Sequence, residues 1–490
     1  MKTRKSLIAS PLLLAALVLA GCGGDKGGDG GIVIDFWHTF GDIPETALNE
    51  KAAEFKQIIK EHDGVDVEIR TSYQGAYKDM PQKVSNALGI GDQPTMVVAY
   101  ADHVADYMDK EGNTPGKYVV NFDQFINDPE ITFGTESYLN DTEDVDDIIQ
   151  SYLEEGRQMK REGTYLLPYM KSTEIMTYNL SVAQAVVPLI FDGRDSDHPT
   201  VLAPQVEEFM RTITWNQLME IADYIVDHKS SYPTVEYPVY YDSDSNLFIT
   251  ELYQRNIPYS SIDDQGVGNI DFATGEALTK AKAMVQELRD AHNDGLFTTK
   301  GAEGTYASNN FKEVKTIFTI GSSGGTGYSI PAGGSFDVAF AKVPAMTDDE
   351  SRIKYISQGP SICFLNNPSI SKEANDAKLK YAWKFVKFIL SSDANAEITT
   401  IGSEGYSPVR ESCYSTEAYL DFIGKANALS KAAVITQTDV AGNYFNSSVF
   451  VGSASLREQV GGIITNALTK ETSIDTIFTN AISNANSNIR

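Results

Sequence analysis

From Gly31 to Asp102 the chain spells out, in order, an apolar strand, an amphipathic helix, an alternating strand, a second helix and a second apolar strand. "GIVIDFWH" (Gly31–His38) reads as a buried strand. After it Leu48, Ala52, Phe55, Ile58 and Ile59 recur at helical spacing, and Gly64 can end that helix. "VDVEIRTSY" alternates like a strand, "YKDMPQKVSNALGIGD" turns helical, and "TMVVAYA" after Pro94 is apolar again. This βαβαβ order restricts the fold to an α/β class, a largely parallel sheet with helices on both faces. Ligands of such sheets sit beyond the carboxyl ends of the strands, where Trp37 and His38, Tyr73 to Tyr77, and Tyr100 to Asp102 fall.

At 490 residues the chain exceeds one comfortable hydrophobic core, so at least two lobes are expected. The middle repeats the strand–helix logic less regularly. Thr214 to Gln217 fits a capping box, followed by Leu218, Ile221, Ala222, Ile225 and Val226 on one helix face. Leu278, Ala281, Met284, Val285 and Leu288 mark another helix, and Leu379, Ala382, Trp383, Val386 and Ile389 a third. "VKTIFTI" and "FDVAFAKVP" read as short strands, and the last hundred residues as mainly helical. Asn140–Asp147 and Phe191–Gln205 read as surface insertions, and no internal repeat is present.

The beginning of the chain carries a different message. Lys2, Arg4 and Lys5 form a positive start, Leu12–Leu19 an apolar run, and small residues lead to Leu19-Ala20-Gly21-Cys22. The run is too short to cross a bilayer and gives residues 1–21 the shape of a secretory signal. "LAGC" resembles the lipobox of bacterial lipoproteins, which implies cleavage before Cys22 and a lipid on its sulfur. Residues 22–30 then form a flexible glycine-rich tether, with the lipid, not a spanning helix, as the anchor. Without the three basic residues of the signal, 37 basic side chains face 67 acidic ones, a net charge of −30. So acidic a chain argues against nucleic acid as a partner, since such binding rests on Lys and Arg against phosphate. Cys363 and Cys413 are read as two buried free thiols, although an exported protein can form a disulfide.

Gly321-Ser322-Ser323-Gly324-Gly325 has the G-x-S-x-G spacing of a hydrolase nucleophile elbow. That elbow needs a helix after it and a histidine later in the chain. "TGYSIPAGGS" is no helix, and His292 is the last histidine, so the elbow reading fails. The loop is either a plain polar turn or a set of amides and hydroxyls suited to an oxygen-rich ligand. The six histidines are scattered, no zinc spacing, Walker loop or dinucleotide fingerprint occurs, and neither metal nor cofactor is expected. A glycosidase carboxylate pair stays open among so many acidic residues. The 25 tyrosines, many at strand ends or in polar loops, pair a flat apolar face with a hydroxyl and tilt the reading towards a sugar-like ligand.

An ordered set of motifs supports a more specific reading. "DFWHTFG", "YQGAYKD", "GDQPTMVVAY", "LLPYMKSTEIMTYNL", "TWNQL", "GSSGGTGY", "GPSICFLNN", "AWKFVKFILSS" and "GYSPVR" follow one another, ahead of a terminal "LREQVGGIITNALTKETSIDTIFTNA". In this order the chain resembles the extracellular solute-binding proteins of ABC importers, closest to the group with maltose- and glycerol-phosphate-binding members. The resemblance implies a two-lobed periplasmic-binding-protein-like fold, with hinge-connected lobes and an interlobe ligand cleft. It places residues 31–168 and 336–403 in the first lobe, and 169–335 and 404–490 in the second, with Cys363 and Cys413 in different lobes.

The same resemblance implies ligand contacts from Tyr77 and Tyr100 in the first lobe. Ser172, Ser322, Ser323, Tyr406 and Arg410 would contribute from the second lobe and hinge. Gly359 would offer an amide and Trp37 a stacking face. Ala101 follows Tyr100 where glycerol-phosphate binders carry an acidic residue, with Asp102 next, which argues against that identity. The expected role is non-enzymatic. A lipid-anchored monomer at the outer face of the cell membrane or in the periplasm captures a carbohydrate-like solute by hinge closure and delivers it to a permease. Swinging a population from 1:99 to 99:1 needs about 5.5 kcal/mol, within the roughly 8 kcal/mol of a micromolar ligand. A glycerol-phosphate or other polar metabolite binder, an extracellular glycoside hydrolase and a surface adhesion lipoprotein are the competing readings.

Overall fold

The computed structural model describes residues 31–346, 349–402 and 405–490; the expected signal, Cys22 and the glycine tether lie outside them. The chain opens as β1 (Ile32–His38), α1 (Asp42–His62), β2 (Val67–Tyr73), α2 (Met80–Ile90), β3 (Met96–Ala99) and α3 (Ala101–Asp109). Helix α1 buries Leu48, Ala52, Phe55 and Ile59, the face its spacing predicts. Acidic Asp42 and Glu45 lie in its first turn and basic Lys60 and His62 in its last, matching the helix dipole. Beyond its end Gly64 takes the left-handed conformation at φ +71°. After a long irregular stretch, β4 (Leu167–Pro168) returns to the same sheet.

The chain then crosses to a second body. There β5 (Glu174–Asn179), α4 (Leu180–Ile190) and α5 (Trp215–Asp227) are followed by β6 (Val239–Tyr241), α6 (Asp244–Gln254), α7 (Gly275–Asn293) and β7 (Phe297–Thr299). Strands β8 (Phe318–Ser322) and β9 (Val338–Lys342) come next. The capping box at the start of α5 is present: the Gln217 amide donates to Thr214 Oγ1 at 3.3 Å, and the Thr214 amide to Gln217 Oε1 at 3.0 Å. A second crossing leads to β10 (Ser361–Phe364), α8 (Lys372–Ile389) and α9 (Ser392–Thr400) in the first body. The chain ends in the second with α10 (Ser453–Thr469) and α11 (Ile474–Asn486).

Two five-stranded sheets result, ordered β2-β1-β3-β10-β4 and β9-β5-β8-β6-β7. In the first, β1 pairs parallel with β2 and β3, and β10 lies antiparallel between β3 and the edge strand β4. In the second, β8, β6 and β7 run parallel, and β5 lies antiparallel between β8 and β9. Each sheet has its own core, one around Phe36, Val97, Tyr107 and Phe385, the other around Met176, Phe248, Phe318 and Ile463. The molecule is a two-lobed α/β protein.

Two boundaries differ from expectation. Val338–Lys342, expected in the first lobe, pairs antiparallel with β5 of the second sheet. The segment after residue 404, expected in the second, stays on the first: Val409 belongs to the first core, and Cys413 packs with Ala396 of α9 and Tyr419. Both differences arise because a strand's sheet partner is set by side chains far away in sequence. Cys363 and Cys413 are free and buried, and burial pushes both thiols up, that of Cys413 to about 12. The acidic stretch Asn140–Asp147, read as a solvated insertion, is instead tied down. Asp141 is buried and accepts from the amides of Gly134, Thr135 and Glu136, and Asp147 accepts from Ser412.

Three extended segments lie side by side where the lobes join. Lys171 and Ser407 exchange backbone hydrogen bonds of 3.1 and 2.7 Å, and Ser172 and Gln358 exchange bonds of 2.8 and 3.0 Å. Gly359 permits this approach. Its φ is +107°, and an added Cβ would lie 2.5 Å from the Met170 carbonyl oxygen and 2.8 Å from the Ser172 nitrogen. Gly359→Ala is therefore expected to lower unfolding stability in urea by about 2 kcal/mol or more. Gly325→Ala, whose Cβ would meet only the Tyr328 ring at 4.0 Å, is expected to stay within about 0.5 kcal/mol of wild type.

Candidate functional site

The carboxyl ends of β1 and β3 point towards the junction, and the cleft builds up from them. Tyr100 ends the turn after β3 and precedes α3, its amide 3.5 Å from His103 Nδ1. Tyr77, in a single helical turn before α2, stacks on Tyr100 with ring centroids 4.8 Å apart and planes 27° from parallel. The Gly359 amide faces the Tyr100 hydroxyl, so the glycine that admits the crossing strands also borders the cleft. Tyr406 approaches from the third crossing segment. The glycine-rich loop lies flat against it: a Cβ at Gly324 would fall 2.7 Å from the Tyr406 ring. Burial pushes the phenols of Tyr77, Tyr100 and Tyr406 up, Tyr406 to about 12, so all three stay neutral and present hydroxyls.

Behind Tyr100 the lobes enclose a cavity of about 60 Å3, lined by Tyr100, Asp102, Glu155 and Gln158 from the first lobe and by Tyr259, Phe445–Ser448 and Arg457 from the second. Arg457 of α10 lies 3.3 Å from Asp102 and 5.8 Å from the Tyr100 ring. Burial opposes ionisation of Asp102, but Arg457 and His103 beside it outweigh this and hold the carboxyl below its ordinary range. Glu155 pairs with buried Lys171 at 2.5 Å and also accepts from the Ser357 hydroxyl. Each carboxylate lining the cavity therefore has a cation beside it. No group of His, Cys, Asp and Glu among the described residues is arranged to hold a metal ion.

The expected site residues separate into two sets. Tyr77, Tyr100, Gly359 and Tyr406 come together as described. Ser322 Oγ accepts from the Gly324 amide at 3.2 Å and shapes its own loop. Ser323 is buried and fastened to the first crossing strand, its Oγ accepting from the Thr173 amide at 3.2 Å and its amide donating to the Thr173 carbonyl at 2.7 Å. Ser172 is buried beside Gln358 through its backbone. Trp37 packs partly buried against the first core and does not line the cavity.

Arg410 departs furthest. It is fully buried in the first lobe, donates to the Asp144 carbonyl at 2.8 Å, lies 3.3 Å from Asp147, and covers the Phe133 ring at 4.9 Å. Its charge is matched locally, which makes it a structural cation instead of a ligand contact. Sequence reasoning missed Tyr259, Arg457 and Phe445–Ser448. Tyr259 carries the signal used for the others, a tyrosine in a polar loop, whereas Arg457 reads as one more charge on an amphipathic helix.

The family model of the bacterial extracellular solute-binding proteins matches residues 51–422, well over half of the chain. The chain belongs to this family. No curated protein matches the sequence. Solved structures match over nearly the whole length of this solute-binding protein. The GacH receptor of Streptomyces glaucescens, known unliganded and with acarbose, is 17% identical at a TM-score of 0.62, covering 93% of this chain and 97% of its own. UgpB of Mycobacterium tuberculosis, in complex with glycerophosphocholine, is 16% identical at 0.65, covering 94% and 98%. MalE of Bdellovibrio bacteriovorus, bound to maltotriose, is 13% identical at 0.62, covering 93% and 99%.

Behind the crossing strands, the hinge of this solute-binding protein rests on a buried polar chain. Glu174 accepts from the Tyr241 hydroxyl at 2.5 Å and from Asn246 Nδ2 at 3.1 Å. Asn246 also donates to Gln358 Oε1, and Gln358 Nε2 donates to the Thr173 carbonyl. Burial pushes Glu174 up to about 7, with Tyr241 and Asn246 opposing. A carboxyl raised from 4.5 in this way contributes stability that is fully present below about pH 4.5 and is lost as pH rises through about 7. Between about pH 5 and pH 8, the urea midpoint of wild type is expected to fall, and that of Glu174→Gln to fall less, by on the order of 1–3 kcal/mol in stability.

Proposed function

We propose that this chain is the lipid-anchored substrate-binding component of an ABC importer. It captures a carbohydrate or carbohydrate-like solute between its lobes and presents the closed form to the permease. The observation that carries this reading is the tyrosine-lined cleft at a three-stranded hinge: Tyr77, Tyr100 and Tyr406 offer flat apolar faces with neutral hydroxyls, the chemistry of a sugar's C–H faces and polar edges. Sites for small organic ligands measure about 300 Å3 or more, several times the 60 Å3 between the lobes. Solute entry therefore requires the lobes to part, and closure over the solute follows as a hinge motion. The lipid on Cys22 and the glycine tether keep the monomer beside its permease.

The charges favour a neutral solute over a phosphate ester. Arg457, the one cation lining the described cavity, already faces Asp102. The same pairing weighs against a glycoside hydrolase, which needs one carboxylic acid held protonated: Asp102 is held below its ordinary range, and Glu155 faces Lys171.

Calorimetric titration with maltooligosaccharides, glycerol 3-phosphate and glycerophosphocholine tests the reading. Saturable binding of a neutral saccharide, recovered intact, is the expected result, with Tyr100→Ala weakening it at least about tenfold and Arg410→Lys changing stability more than affinity. Cleavage of the saccharide, or preference for the phosphate compounds, contradicts it.

A further inference from the structure

Helix α3 of the first lobe carries Asp102, Asp106 and Asp109, spaced so that all three share one face. Each meets a partner in the C-terminal part of the second lobe. Asp102 faces Arg457 at 3.3 Å, Asp106 accepts from the Gly452 amide at 3.1 Å, and Asp109 faces Arg490 at 3.0 Å. The partners sit around the start of α10. That helix has no side-chain cap and no acidic residue in its first turn, so its positive end lacks a local counter-charge. From the other lobe, Asp106 offers an acceptor to the Gly452 amide at that end.

The chain's end holds this arrangement in place. Gly452 is left-handed at φ +95°, and a Cβ there would lie 2.5 Å from the Asn488 carbonyl oxygen, while the Arg490 amide donates to the Val451 carbonyl at 3.3 Å. The segment after α11 thus buttresses the loop that presents the Gly452 amide to Asp106.

We propose that α3 and the start of α10 form an electrostatic clasp between the lobes, in which Asp106 and Arg457 are positioning residues that favour the closed arrangement and so set solute affinity from outside the tyrosine stack. The inference rests on the hinge-closure reading for its effect on affinity, but the clasp itself acts on the lobes whether or not a solute is bound. Asp106 does not line the cavity, so its contribution is separable from direct ligand contact. Among the described residues, the Gly452 amide is its hydrogen-bond donor from across the lobe boundary; Asp102 and Asp109 on its own helix and Lys110 just beyond it are the charges around it. Burial together with Asp102 and Asp109 pushes its carboxyl up to about 6, against the Gly452 amide and Lys110. Parting the lobes returns Asp106 to water and its ordinary value near 4. The closed form therefore holds more protons, and acidification from about pH 7 to pH 5 favours closure. Asp102, held below the ordinary carboxylate range by Arg457, stays ionised through this interval and keeps its pair.

Small-angle scattering of the solute-free chain at low salt reads the clasp directly. Wild type is expected to be more compact than Asp106→Ala at pH 5 and than Arg457→Gln at either pH, to expand as salt rises, and to contract between pH 7 and pH 5 where Asp106→Ala does not. The exchanged pair Asp102→Lys with Arg457→Asp is expected to recover compactness that either single change loses. Since apparent affinity scales with the closed fraction, Asp106→Ala is expected to bind solute about fivefold more weakly at pH 5. Identical scattering for wild type and both single variants at every salt and pH overturns the clasp, provided circular dichroism shows all of them folded. If the scattering differs as expected while no saccharide binds wild type, the clasp stands and the carbohydrate reading fails.

Discussion

Backbone pairing at the lobe junction is the constraint on which the rest of the structure depends. Two sheets with separate cores are joined by segments whose amides and carbonyls satisfy each other: Lys171 with Ser407, and Ser172 with Gln358. A buried peptide group without a partner is costly, so these segments cannot separate freely, yet each is a short stretch that can bend. Gly359 makes the approach sterically feasible, and the chain from Glu174 through Asn246 to Gln358 braces it from the second lobe. Paired in this way, the segments hold the two lobes against each other while each lobe keeps its own core.

That geometry brings together, from distant parts of the sequence, the tyrosines proposed to meet the ligand. Tyr77 and Tyr100 arrive on the carboxyl ends of first-lobe strands, and Tyr406 on a crossing segment pressed against the glycine-rich loop. Charges near them are matched: Asp102 by Arg457, Glu155 by Lys171. Neutral phenols beside paired ions offer hydrogen bonds and stacking, in a chain carrying 67 acidic residues against 40 basic ones. The glycine-rich loop that resembles a nucleophile elbow has a mechanical part here. Ser323 ties it to Thr173, and Gly324 lets it lie on Tyr406.

What could be read from the sequence was whatever is encoded locally. The strand–helix alternation from β1 to α3, the Thr214–Gln217 capping box and the buried face of α1 depend on residues a few positions apart, and each appears as read. The misplacements are all non-local. Val338–Lys342 is a strand by its own composition, but its neighbour β5 lies some 160 residues earlier. Arg410 follows a motif tied to ligand contact and was placed in the site, whereas Asp147, more than 260 residues upstream, takes its charge. The acidic stretch around Asp141 looked solvated because its partners, such as Lys387, lie on a distant helix. Tyr259 and Arg457 reach the cavity only because the second lobe folds them there.

The central claim is that a solute is held by closure of one lobe on the other. Single-molecule energy transfer between dyes at exposed Lys60 on α1 and Lys280 on α7, each replaced by cysteine, tests it most directly. The account predicts two interconverting distances, with the shorter one filling as saccharide is added and saturating at the concentration at which calorimetric binding saturates. Saturable binding with an unchanged distance distribution would contradict it, because the ligand would then engage one lobe alone and the paired crossing strands would be a rigid join.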